Sequence, residues 1–86
     1  MSGRRYPPLT PDEVRDILQV KGFSLDRTRG SHEQWRAIIE NQLRVVTVDS
    51  HYKIFDQNLL KRMISQSGLS REEFYFATPK AAKKIR

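Results

Sequence analysis

Two histidines are the side chains of this chain whose ordinary pKa lets them exchange protons near neutral pH. His32 closes the run Gly30-Ser31-His32, and Arg27 and Arg29 come just before it. His51 follows a valine-rich stretch and is itself followed by Lys53. A histidine beside guanidinium groups can move a proton next to a phosphate whose charge the arginines neutralise. Gly30 permits a sharp turn and a close backbone approach to such a phosphate. Each residue also has a plainer reading. His32 can be a half-exposed strand histidine, His51 a loop histidine, and Arg27, Arg29, Lys53, Lys61 and Arg62 solvated charges.

Other chemistries fit less well. The chain has no cysteine, which excludes disulfides, thiolate catalysis and cysteine-rich zinc sites. In His32-Glu33-Gln34-Trp35-Arg36, Arg36 stands where a second histidine would complete a zinc-protease motif. A phosphate-cradling glycine-rich loop and a Gly-x-Ser-x-Gly elbow are both missing from the sequence. No metal and no cofactor are expected.

The elements that must position these residues are legible from caps and periodicity. Thr10, Pro11 and Glu13 announce a helix with a capping box, and Val14, Ile17 and Leu18 form its apolar stripe. Gly22 ends it. Phe23 to Thr28 alternates as a half-buried strand should. Arg29-Gly30 turns the chain, and a second strand runs from His32 to Glu40. Trp35, Ala37 and Ile39 share its core face; His32, Gln34 and Arg36 share the other. Trp35 as a base-stacking platform is the alternative to Trp35 as core. Asn41-Gln42 is the expected hairpin connection, and Leu43 to Asp49 a third strand. His51 to Phe55 reads as a loop or strand end. Asp56 caps a second helix with Leu59, Leu60, Met63 and Ile64 on its apolar face, and Gly68 ends it. Ser70 and Glu73 open a short helix carrying Phe74 and Phe76.

The expected fold is α+β: a two-layer α-β-β-β-α(-α) sandwich with a three-stranded antiparallel sheet. Helices cover one sheet face and leave the other open. Residues 1–9 form an extended lead-in, 10–76 a single domain, and 77–86 a mobile basic tail. The net charge of +6 belongs to the ends, because residues 6–76 hold ten basic and ten acidic side chains. An anionic partner is therefore suggested by arrangement and not by excess charge. No apolar run approaches the roughly 18 residues of a membrane helix, and Met1 to Pro8 does not read as a signal peptide, so the cytoplasm is the expected compartment.

Taken in order, these motifs resemble the HicA (YcfA-like) toxin family. The resemblance is carried by Gly22-Phe23, by Gly30-Ser31-His32 with Trp35 three positions on, and by the valine-rich strand leading to His51. It is completed by Leu60, Met63, Ile64, Gln66, Gly68, Leu69 and Ser70. The chain departs from the family's usual pattern at Asp49, where proline is usual, and at Asn58, where glycine is usual. The resemblance implies a double-stranded-RNA-binding-domain-like fold and a metal-independent ribonuclease that cuts messenger RNA. It further implies silencing by a HicB-like antitoxin, with His32 as the catalytic residue. RNA breaks without a metal when its 2′-hydroxyl attacks the adjacent phosphate, given a base, an acid and a positive group. His51 would then be a second acid or base, and Arg27, Arg29, Gly30, Ser31 and Lys53 phosphate contacts. The alternative functions on the same fold are a noncatalytic RNA-binding module and a protein-interaction module.

Overall fold

The structure is a computed structural model, and it describes residues 6–85. Arg4, Arg5 and Arg86, three of the terminal charges, lie outside the described residues. The elements run α1 (Pro11–Val20), β1 (Ser24–Arg29), β2 (His32–Ile39), β3 (Gln42–Asp49), α2 (Gln57–Ser67), α3 (Arg71–Tyr75) and α4 (Pro79–Ala82). The three strands form one antiparallel sheet in the order β1-β2-β3. The fold is α+β, as the sequence predicts.

The predicted caps are made. Thr10 and Glu13 close a capping box on α1, and Ser70 and Glu73 close one on α3. Asp56 accepts from the Leu59 amide at the start of α2, and Gly68 ends that helix with a left-handed φ of 76°. Val14, Ile17 and Leu18 of α1 and Leu60 and Met63 of α2 pack onto Trp35, Ala37, Val46 and Val48 of the sheet. Trp35 is therefore core. Its indole N–H donates to Glu33 at 3.0 Å, which satisfies the polar atom that a buried tryptophan must place. Arg15 of α1 grips the same carboxylate through two bonds, of 2.9 and 2.7 Å. This fork pins the start of β2 to α1 by its helix-facing side.

Four sequence expectations are corrected. β1 is not half-buried; all six of its residues are exposed. It is an edge strand, and the helices lie over β3 and β2 instead. The β2–β3 turn is centred on Glu40-Asn41, not Asn41-Gln42, with φ of 51° and 65° and the pair Ile39–Gln42 closing it. Two successive left-handed residues are what a tight hairpin turn of the favoured twist requires. In α3 the buried aromatic after Phe74 is Tyr75, whereas Phe76 is 49% exposed.

The fourth correction concerns the two ends, which are not loose appendages. Tyr6 and Leu9 are buried, and Leu9 bridges to Phe55. The Tyr75 hydroxyl donates to the Pro7 carbonyl, and the Gln57 amide to that of Tyr6. The C-terminal segment forms α4, capped by Thr78, with Ala81 fully buried. Lys84 reaches 2.6 Å from the buried carboxylate of Glu13. Burial works against the charge on Glu13, yet the Lys84 ammonium and the Thr10 amide together hold its pKa below the ordinary 4.5.

Candidate active site

The two faces of β2 have opposite fates. Glu33, Trp35 and Ala37 look toward the helices, and His32, Gln34, Arg36 and Ile38 look outward. Across the ladder His32 pairs with Asp49, Gln34 with Thr47, Arg36 with Val45 and Ile38 with Leu43, so these residues share the open face. β1 joins that face through a bulge. Its register shifts between Leu25 and Arg27, after which Arg27 pairs with Gln34 and Arg29 with His32. The extra residue, Asp26, turns Arg27 and Arg29 to the side that bears His32.

His32 is the first residue of β2, and Gly30 and Ser31 form the turn before it. Gly30 has a φ of 60°, and a Cβ placed on it would meet nothing within 4 Å beyond its chain neighbours. The turn is stitched to the end of β3. The Ser50 amide donates to the Ser31 carbonyl at 2.8 Å, and the Ser50 hydroxyl to the same oxygen at 3.2 Å. Asp49 ties the corner together. It accepts from the Ser31 hydroxyl and from the His51 amide, and its Oδ2 lies 3.4 Å from His32 Nε2. These two hydrogen bonds, of which that from Ser31 is the stronger influence, hold the Asp49 carboxyl below the usual carboxylate range. The imidazole itself is 56% exposed.

Two grooves meet at His32. One, of about 520 Å³, lies over the open sheet and is lined by Asp26, Arg27, Arg29, Gln34 and Val45. The other, of about 380 Å³, lies between the free edge of β3 and α2. Its walls include Asp49, Tyr52, Phe55, Arg62 and Gln66. Arg29 and Arg62 make no ion pair with another described residue, while Arg27 has a loose contact with Asp26 at 3.8 Å. Guanidinium groups thus stand in the lining on both sides of the histidine.

A comparison with protein-family models matches residues 11–69, more than half of the chain, to the HicA toxin of bacterial toxin–antitoxin systems. The chain belongs to the HicA toxin family. No curated protein matches it. As a HicA toxin it is one member of a toxin–antitoxin system. No helix among the described residues is long and apolar enough to cross a membrane.

Within this HicA toxin the sequence-predicted site residues separate into two groups. His32, Arg27, Arg29, Gly30 and Ser31 come together around one corner of the open face. His51 and Lys53 are exposed and line neither groove. The His51 ring stands edge-on to Tyr52 at 5.8 Å; its amide donates to Asp49, and its side chain adds a weaker electrostatic pull on that carboxylate. Asp49 is the residue that sequence reasoning passed over as a site residue. Its place follows from strand register, and a hairpin turn centred on Glu40-Asn41 would have revealed it. Arg62, expected to be a solvated charge rather than a phosphate contact, lines the groove beside His32. Among the described residues no three His, Cys, Asp or Glu side chains gather as metal ligands would.

Proposed function

We propose that this HicA toxin is a metal-independent endoribonuclease of messenger RNA with His32 as its acid–base residue. The observation that carries the proposal is the corner itself. An exposed imidazole stands at a tight turn, with a carboxylate 3.4 Å behind one ring nitrogen and arginines along its flank. RNA would cross the open sheet face with the scissile phosphate near His32, Arg27 and Arg29.

In the reaction the neutral imidazole takes the proton of the 2′-hydroxyl. The 2′ oxygen bonds to phosphorus, and the bond from phosphorus to the 5′ oxygen breaks. The departing oxygen takes a proton from water in the open groove. The products are a 2′,3′-cyclic phosphate and a 5′-hydroxyl, and no oxidant or cofactor is consumed. Arg27 and Arg29 neutralise the charge that grows on the phosphorane, and the backbone of Gly30 and Ser31 lets the phosphate come close. Asp49 is a positioning residue. Its Oδ2, 3.4 Å from Nε2, would orient the ring and face the imidazolium formed when the proton arrives. His51 is the candidate for a second acid, but it lines neither groove, which favours a single-histidine mechanism. Lys53 has a lesser role as a general attraction for the polyanion.

The partner expected of such a toxin is a HicB-like antitoxin in the same cytoplasm. Exposed Ile38, Leu43 and Val45 continue the open face beyond the basic corner and offer it an apolar contact. The test is cleavage of single-stranded messenger RNA in EDTA by the purified chain. Wild type should cut, and His32→Ala should lose about 10²–10⁴-fold in rate. Full cleavage by His32→Ala would remove His32 from the chemistry. RNA bound without any cleavage by wild type would favour a noncatalytic binding module.

A further inference from the structure

We propose, building on His32 as the cleaving residue, that the groove between β3 and α2 is a nucleobase subsite. It would take the base of a nucleotide next to the scissile phosphate, with Tyr52 as its stacking platform and Gln66 as its hydrogen-bond donor. A phosphodiester cut at His32 has a nucleotide on either side, and two grooves meet there. The groove over the sheet has Arg27 and Arg29 beside Asp26 in its lining and offers cations to a phosphate. The groove beyond β3 has an apolar floor of Phe55, Leu59 and Met63. Its volume of about 380 Å³ falls in the range of small-ligand sites, about 300–1,000 Å³.

Three features of its walls suit a flat, polar-edged ring. Tyr52 is 41% exposed, yet its ring rests against Phe55 at 6.1 Å and against His51 at 5.8 Å. An aromatic held in this way is a prepared surface for stacking. Gln66 is oriented by its own carbonyl, which accepts from the Thr47 amide of the β3 edge at 3.1 Å. With that oxygen engaged, the NH₂ of Gln66 is left for the acceptors of a base edge. Arg62, unpaired among the described residues, stands at the same groove and can meet the phosphate that the base brings with it.

The experiment is a titration of the ¹⁵N- and methyl-labelled full chain, followed by NMR. The probes are the four 3′-nucleoside monophosphates and, separately, inorganic phosphate. All nucleotides should shift Tyr52, Leu59, Met63 and the Gln66 side-chain amide. Inorganic phosphate should shift only the signals of Arg27, Arg29, Gly30 and His32. Tyr52→Ala should weaken nucleotide binding at least about fivefold and leave phosphate binding unchanged, and Tyr52→Phe should restore it. Identical shift patterns for nucleotides and phosphate would overturn the subsite, as would Tyr52→Ala binding nucleotides as wild type does. A groove blind to nucleotides would be left as a protein-contact surface. Because the readout is binding, it is independent of whether RNA is cut. Loss of the cleavage assignment would show in the His32→Ala assay, and loss of the subsite in this titration.

Discussion

At His32 the decisive neighbour is Asp49, a carboxylate held in place before any substrate arrives. The Ser31 hydroxyl and the His51 amide fix it, so it cannot swing to meet a different partner without losing both bonds. Asp49→Asn keeps the shape and removes the charge. It should lower the single-turnover cleavage rate about tenfold or more while leaving the KM for RNA nearly unchanged, since the charge acts when the imidazole becomes cationic. His51→Ala, by contrast, should keep the rate within about threefold of wild type. A loss as large as that of His32→Ala would restore a two-histidine mechanism. The histidine motif and its arginines were readable as types and order. That Arg27 and Arg29 share its face was not readable, because the bulge at Asp26 shifts every later side chain of β1 by one position.

At the scale of elements, one turn determines which residue faces His32. Counting back along the hairpin from Glu40-Asn41 puts Asp49 opposite His32. A turn centred one residue later would put His51 there instead. Asn41 is a natural occupant of a left-handed position and Glu40 is not, so local preference pointed to Asn41-Gln42. The register adopted sets Trp35 against Val46 and Ala37 against Arg44; the alternative, two residues on, would keep every side chain on its face and change only its partner. The helices were legible because their caps are local, three-residue patterns. The exposure of β1 was not, since Leu25 alternates as a buried residue would and only the placement of the helices decides. The other fixed point is the Arg15–Glu33–Trp35 knot, where the Arg15 hydrogen bonds hold the Glu33 pKa below the ordinary 4.5. Glu33→Gln should lower stability by about 1–3 kcal/mol, read from urea unfolding at pH 7.

The whole molecule is small enough that its ends matter. Tyr6, Leu9 and Ala81 sit in the one core cluster, and Lys84 compensates the only buried carboxylate among the described residues, Glu13. Lys84→Met should cost about 1–2 kcal/mol, a figure held down by solvent reaching the lysine, and should lower Tm by roughly 4–8 °C per kcal/mol. Acid should act through the same groups. Glu13 and Glu33 both have folded-state pKa values below 4.5, so the unfolded chain binds their protons more readily. Their stabilisation is complete above about pH 4.5 and is lost as the pH falls through the lowered values. Unfolding free energy should thus fall as the pH drops below about 4.5, and Glu33→Gln should flatten that fall. Unchanged stability over that drop would contradict it. The net charge of the sequence pointed toward an anionic partner, but Lys84 is spent on Glu13. The cations that line the grooves at His32 are Arg27, Arg29 and Arg62.

Metal-free attack by the 2′-hydroxyl leaves its signature in the chemistry of the cut ends. A short messenger-RNA fragment, digested by the wild-type chain in EDTA and examined by mass spectrometry, should carry a 2′,3′-cyclic phosphate on one product and a 5′-hydroxyl on the other. A single 2′-deoxy nucleotide at the cut site should stop the reaction there. Products with a 3′-hydroxyl and a 5′-phosphate, or undiminished cutting at the deoxy position, would mean that the 2′-hydroxyl is not the nucleophile.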